Sequence, residues 1–242
     1  MVKILFVGPS LAGTDYAPCD IDIHPPAAHG DMVRAVLDGA TAIGLVDGLF
    51  DAVAAVWHKE ILFALARGVT VLGAASMGAL RAAECAHFGM QPVGVIARSY
   101  LSGAREDDAD VGLVHAPAEL GWLPLTEPIV DIEATLAHLG QLGLLRPGEA
   151  SAILAHARSI HFSERSLEHL VPAALAERRE VLLDAYESHC VRQKRRDALE
   201  LVAQLAQLPD SRGQEASFVL AESPMWRRRL GQFQAEGYIT AA

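Results

Sequence analysis

Cysteine is scarce in this chain: Cys19, Cys85 and Cys190 are scattered over 242 residues with no paired spacing. That excludes a zinc ribbon or a CxxC redox motif and fits a reducing, cytoplasmic setting. Positive charge is also in short supply, with 20 Lys and Arg against 30 Asp and Glu and a net charge of −10. A nucleic-acid backbone needs an overall electrostatic attraction that this balance does not give, so nucleic acid is not an expected partner. No uninterrupted apolar run reaches the roughly 18 residues that mark a membrane-crossing helix, so no membrane partner is expected either. Mean hydropathy is nonetheless positive, at +0.23, because Ala, Leu and Val are spread along the whole chain. The opening apolar stretch, Val2 to Val7, is too short for a good signal peptide and reads as a strand.

What is present divides by texture. In the first half, strand-like runs at Lys3–Val7, Ala42–Val46, Val69–Leu72 and Val93–Ala97 alternate with helix-like segments. Asp31–Leu37 places Met32, Val33, Val36 and Leu37 on one face. Phe50, Val53, Trp57, Ile61 and Leu65 recur three or four residues apart and predict a helix closed by Gly68. Ser76–His87 predicts another. Strand–helix–strand repetition of this kind predicts an α/β fold, a parallel sheet with flanking helices. Past an acidic cluster, Glu106 to Asp110, and the prolines at 117, 124 and 128, only helical patterning remains. The expected organisation is an α/β core over residues 1–130 and an all-helical extension over 131–242. The extension could form its own bundle or cap the sheet. Its basic run, Arg192-Gln193-Lys194-Arg195-Arg196, reads as a solvated helix face or a patch for an acidic partner.

The most informative stretch is Val69 to Glu84: strand, a tight turn of small residues, then helix, with Ser76 where the helix begins. A serine there stands at the carboxyl end of a strand, beside backbone amides that can stabilise an anion. This is the physics of a nucleophile elbow, although Gly73 lies three residues before Ser76, not the two of G-x-S-x-G. The alternative is that Ser76 caps the helix, a role serine fills well. A nucleophilic serine needs a base and an orienting group. Asp47 sits at the end of the second strand, where α/β sites gather, but an Asp-Gly pair also makes an ordinary turn. His58 is a candidate base, with Glu60 to orient it and Lys59 to bind an anion or lower the serine pKa. By default these three are a structural histidine and two solvent-facing helix charges.

Metal and nucleotide sites have weaker support. Asp20, Asp22, His24, His29 and Asp31 form a loose cluster, as do Asp107, Asp108, Asp110 and His115, but neither has a metal-motif spacing. Gly8 to Gly13 is neither G-x-G-x-x-G nor a Walker A loop. No metal or cofactor is expected.

Three motifs carry a family resemblance: Asp47-Gly48-Leu49-Phe50; Val56-Trp57-His58-Lys59-Glu60-Ile61-Leu62; and Gly73-Ala74-Ala75-Ser76-Met77-Gly78-Ala79-Leu80-Arg81-Ala82-Ala83-Glu84. With Phe88-Gly89-Met90, the acidic loop ending at His115 and Pro128-Ile129-Val130, they make residues 40 to 135 resemble the TfuA-like proteins. The resemblance implies a role beside a YcaO-type cyclodehydratase or thioamide synthetase in forming backbone thioamides on ribosomally made peptides or on proteins. The YcaO partner uses ATP to activate an amide oxygen that sulfur then replaces. The TfuA-like partner helps to supply that sulfur from a sulfur-carrier protein or another donor. Release of sulfide from a carrier's C-terminal thiocarboxylate would be an acyl transfer, with Ser76, His58 and Asp47 or Glu60 as its parts. Gly73, Met77, Gly78, Arg81 and His115 are the substrate-binding candidates of the same motifs. The competing reading is a non-catalytic adaptor that recruits the sulfur donor or activates YcaO allosterically.

Overall fold

A computed structural model describes residues 2–16, 20–49, 53–214 and 217–237, without the side chains of 234–237. Cys19, and Phe50 with its place in the predicted helix stripe, lie outside the described residues. Five parallel strands form one sheet in the order β2-β1-β3-β4-β5: β1 (Val2–Phe6), β2 (Ile21–His24), β3 (Ala40–Leu45), β4 (Thr70–Gly73) and β5 (Gln91–Pro92). β3 is buried along its full length, as a central strand covered on both faces must be. The parallel α/β fold expected from the alternating elements is the one found.

Both faces of the sheet are covered. On one, Ile4, Phe6, Ile43, Leu45 and Val71 meet α1 (Asp31–Leu37), α2 (His58–Ala66) and α3 (Met77–Cys85). Trp226 and Phe233 of α9 (Pro224–Gly237) join the same cluster. On the other face, Leu5, Val7, Ala42, Val46 and Leu72 receive Ala198, Leu201, Val202 and Leu205 of α8 (Gln193–Gln207). The approach is close enough to need glycine in β3, since a Cβ at Gly44 would lie 2.6 Å from Leu201 Cδ2. Three further helices, α5 (Ile129–Gln141), α6 (Glu149–Ser159) and α7 (Arg179–Ser188), build a separate core around Ile132, Leu136, Ile153, Leu182 and Tyr186. The C-terminal region thus contains both a small bundle and a helix laid on the sheet.

Two expectations fail for identifiable reasons. Val93–Ala97 is not a strand: α4 (Gly94–Leu101) begins there, and the strand is the two-residue β5 just before it. A five-residue apolar run cannot by itself be told from a buried helix segment. What decides it is distant in sequence: the Asp197 carboxylate on α8 accepts from the Ile96 amide at 2.7 Å and satisfies the first turn of α4. Conversely, β2 occupies part of the early His/Asp-rich region. It is an edge strand with Asp22 and Ile23 exposed, so it never shows the apolar run of an interior strand. The stripe from Val53 to Leu65 becomes helical only from His58.

Candidate active site

β3 and β4 lie side by side, and the chain leaving each of them builds one wall of a cavity of about 180 Å³. From β3 come Asp47, Gly48 and Leu49; from β4 comes Ser76. The turn after β4 is unusually tight. Ala75 has φ +65°, and the Ser76 amide donates to the Ala74 carbonyl at 2.7 Å, a three-residue turn of the rare positive-φ kind. The glycines explain how so small a turn fits. A Cβ on Gly78 would stand 1.7 Å from the Leu45 carbonyl oxygen, and one on Gly73 would stand 2.2 Å from the Gly78 carbonyl oxygen. The first turn of α3 therefore rests directly on the backbone of β3, with the Gly78 amide donating to the Val46 carbonyl at 3.1 Å.

Ser76 occupies the N-cap position of α3 but its side chain makes no capping hydrogen bond. Its hydroxyl has no hydrogen-bond partner among the described residues and lines the cavity instead. The amides of Met77 and Gly48 are likewise unpartnered among the described residues. Gly48 abuts the Met77 side chain, which a Cβ on Gly48 would meet at 2.7 Å.

Asp47 is buried and anchors the loop after β1. Its Oδ2 accepts from the amides of Gly8 at 2.9 Å and Ser10 at 3.0 Å, and Oδ1 accepts from Ser10 Oγ at 2.7 Å. The Gly8-Pro9-Ser10 loop is thus held in place by a carboxylate and brings Pro9 into the cavity wall. His115 lines the opposite side, with Nδ1 2.8 Å from the Ala116 carbonyl and its ring edge against Trp122. Pro26, Leu113, Val114 and Phe162 complete the apolar part of the lining.

The remaining wall is Lys194, almost fully buried at the start of α8. Its Nζ donates to the Val111 carbonyl at 2.8 Å and forms no ion pair among the described residues. Burial lowers the ammonium from its ordinary value, against the opposing pull of Asp47 and Asp131. The basic run containing it is not a solvated face. Arg192 pairs with Glu127, Arg195 donates to the Ala12 carbonyl at 3.0 Å, and only Arg196 is exposed. A sequence signal existed: Lys194, Ala198, Leu201 and Leu205 recur at four, three and four residues, the stripe that α8 turns inward.

The family model of TfuA-like proteins matches residues 47–166. The chain belongs to the TfuA-like family. Within this TfuA-like chain the match opens at Asp47 and runs past Ser76, His115 and Phe162, so it holds most of the cavity wall but not Lys194. No curated protein matches the chain.

The other predicted site residues of the TfuA-like motifs lie apart from the cavity lining. His58 is half exposed at the start of α2, and its Nε2 is 2.8 Å from Glu84 Oε2. Glu60 is fully buried; its carboxylate accepts from the Gly30 amide at 2.8 Å and the Trp57 amide at 3.1 Å, and lies 2.8 Å from His29 Nδ1. Burial raises the Glu60 carboxyl above its ordinary value, with those hydrogen bonds pulling the other way. Lys59 stands over the Trp226 ring at 5.9 Å. Arg81 donates to the Val56 carbonyl at 3.0 Å and to Glu84 at 2.7 Å. Gly73, Met77 and Gly78 shape the turn. Ser76, Asp47 and His115 are brought together; His58, Glu60, Lys59 and Arg81 are not. Among the described residues no group of three or more His, Cys, Asp or Glu converges as a metal site, and no helix is long and apolar enough to cross a membrane.

Proposed function

We propose that this TfuA-like protein works in the cytoplasm beside a YcaO-type enzyme in backbone thioamidation and hydrolyses a thiocarboxylated sulfur-carrier protein to release sulfide. The observation that carries the reading is Ser76: a serine at a strand-to-helix elbow, unbonded, uncapping and open to a cavity. Ser76 is the nucleophile of an acyl transfer. The Met77 and Gly48 amides supply the oxyanion donors, the arrangement in which the residue after the nucleophile pairs with a loop amide from a neighbouring strand. Asp47 is a positioning residue that fixes the Gly8–Ser10 loop, and His115 meets the substrate across the cavity. The narrow cavity suits an extended chain terminus better than a bulky small molecule. In this reading residues 1–130 are the catalytic core and 131–242 the helical extension that closes it. The protein needs no cofactor or metal for this step.

The test is the intact mass of a thiocarboxylated carrier incubated with wild-type protein and with Ser76→Ala. Wild type converts thioacid to carboxylate with stoichiometric sulfide, and Ser76→Ala lowers the rate by about 1,000-fold or more. Because Ser76 caps nothing, the variant keeps its melting temperature. A carrier left unchanged while the protein still stimulates YcaO turnover in excess free sulfide makes it an adaptor and overturns the hydrolase reading.

A further inference from the structure

Helix α9 concentrates the positive charge that the chain as a whole lacks. Lys and Arg number 20 against 30 Asp and Glu, yet Arg227, Arg228 and Arg229 follow one another on this helix. Its inner face is fixed, because Trp226 and Phe233 are buried in the core shared with α1 and α2. Successive residues of a helix turn by about 100°. With Trp226 directed inward, the three arginines therefore sweep the outer side of α9, and all three are exposed. The helices beneath add to the cluster. Lys59 on α2 stands over the Trp226 ring at 5.9 Å, and Arg34 on α1 stands over the Phe233 ring at 5.9 Å. Cations thus flank α9 at both of the rings that anchor it.

Local carboxylates do little to balance this face. Glu222 is 3.7 Å from Arg227 with both side chains exposed, and Asp31 pairs with Arg34 at 3.0 Å. Exposed pairs of this kind are weak. Arg229 donates to Gln232 at 3.0 Å, and Arg228 has no partner among the described residues. Crowded like charges repel one another and add nothing to the folding of the free chain. They gain from an anionic partner, and the geometry selects its class. The apolar side of α9 is spent on the core, so the helix has no face to insert into a lipid surface. Its two rings are buried, so it offers nucleic-acid bases no stacking platform. A guanidinium fork matches a carboxylate, and a row of them matches an acidic protein surface.

Resting on the reading of this protein as a sulfide supplier beside a YcaO-type enzyme, we propose that the α9 face docks an acidic surface of that enzyme. Arg227, Arg228 and Arg229 form its centre, and Lys59 and Arg34 its margins. None of the five lines the Ser76 cavity, so the carrier's end keeps its access while the enzyme is bound. Sulfide is then released within one complex. Helix α9 lies beyond residues 47–166, so the face is additional to the TfuA-like motifs.

The test is binding of the purified YcaO-type enzyme to the full chain, measured by calorimetry with no substrate present. Raising salt from about 50 mM to about 500 mM should weaken the wild-type complex by about tenfold or more. Arg227→Glu, Arg228→Glu and Arg229→Glu combined should weaken it by about 100-fold at low salt and remove most of the salt dependence. The three side chains are exposed, so the variant should keep its melting temperature and its rate of sulfide release from the thiocarboxylated carrier. If it fails to fold, the three Arg→Gln changes, which remove the charge without reversing it, should weaken binding by about tenfold. Unchanged affinity in the folded variant overturns the docking face and leaves the hydrolase reading standing. No complex with the wild type overturns both the face and the partnership. Reversal-sensitive binding by a protein that releases no sulfide keeps the face and removes the hydrolase. Phosphatidylserine-containing vesicles and duplex DNA serve as rival ligands. Capture of either through the arginines, with enzyme affinity indifferent to them, overturns the proposal.

Discussion

The two sides of the cavity are made in different ways. The sheet side is backbone: consecutive residues leaving β3 and β4, packed so tightly that Gly73 and Gly78 have no room for a Cβ. The helical side is a single long side chain, Lys194, carried in by a helix whose apolar stripe lies on the opposite face of the sheet from α1 and α2. The first kind of wall is rigid because it is covalently short and close-packed. The second depends on tertiary packing and places a charge where water is scarce. The first fixes where the Ser76 oxygen lies; the second puts a titratable amine in the same cavity.

The contrast can be broken from either side. The largest effect is expected at Gly78→Ala, where the added Cβ meets the Leu45 carbonyl and α3 must lift off β3. Stability should fall by about 3 kcal/mol or more, measured by urea unfolding, and the elbow should be lost with it. Next is Leu201→Ala, which opens a hole between α8 and β3 and should cost about 3 kcal/mol. If α8 were a detachable appendage, the unfolding of the sheet would not change.

A subtler test uses pH. Burial pushes the Asp131 carboxyl up to about 6, against the hydrogen bond from the Lys194 amide. A group with a raised folded-state pKa favours the folded state fully below its unfolded value, near 4, and loses that contribution as pH rises through the folded value. Stability should therefore decline across roughly pH 4 to 6 through this group, and Asp131→Asn should flatten that part of the curve. The smallest effect is expected at His58→Ala. The exposed pair with Glu84 is worth about 0.5 kcal/mol at most, and sulfide release should be unchanged. A large loss of activity there would return His58 to the site.

The legibility of the molecule in its sequence follows the same division. The elbow could be read because its signals are local: strand, small residues, serine and helix within sixteen positions, Val69 to Glu84. Asp47 could be read because it ends a buried strand. His58 reads as a candidate base because its neighbours in sequence resemble a catalytic cluster; in space it turns to Glu84, and its neighbour Glu60 turns inward to His29. Where the decisive partner is remote, the local pattern misleads. Gly94 and Ile96 look like strand residues until Asp197 is brought beside them. Arg192 to Arg196 looks like a solvated patch until α8 buries Lys194 in the cavity beyond β3 and β4. The inward stripe of α8 was visible, but a lysine on it runs against the ordinary cost of burying a charge.

The most direct test of the account is to catch the ester. Wild-type protein mixed with thiocarboxylated carrier in a single turnover and quenched in acid should yield an adduct. Its mass should equal that of the two proteins less one hydrogen sulfide, and it should map to the peptide holding Ser76. Conversion of the carrier to carboxylate with no adduct at any time, and equally fast with Ser76→Ala, would contradict a serine nucleophile and leave the elbow as a turn.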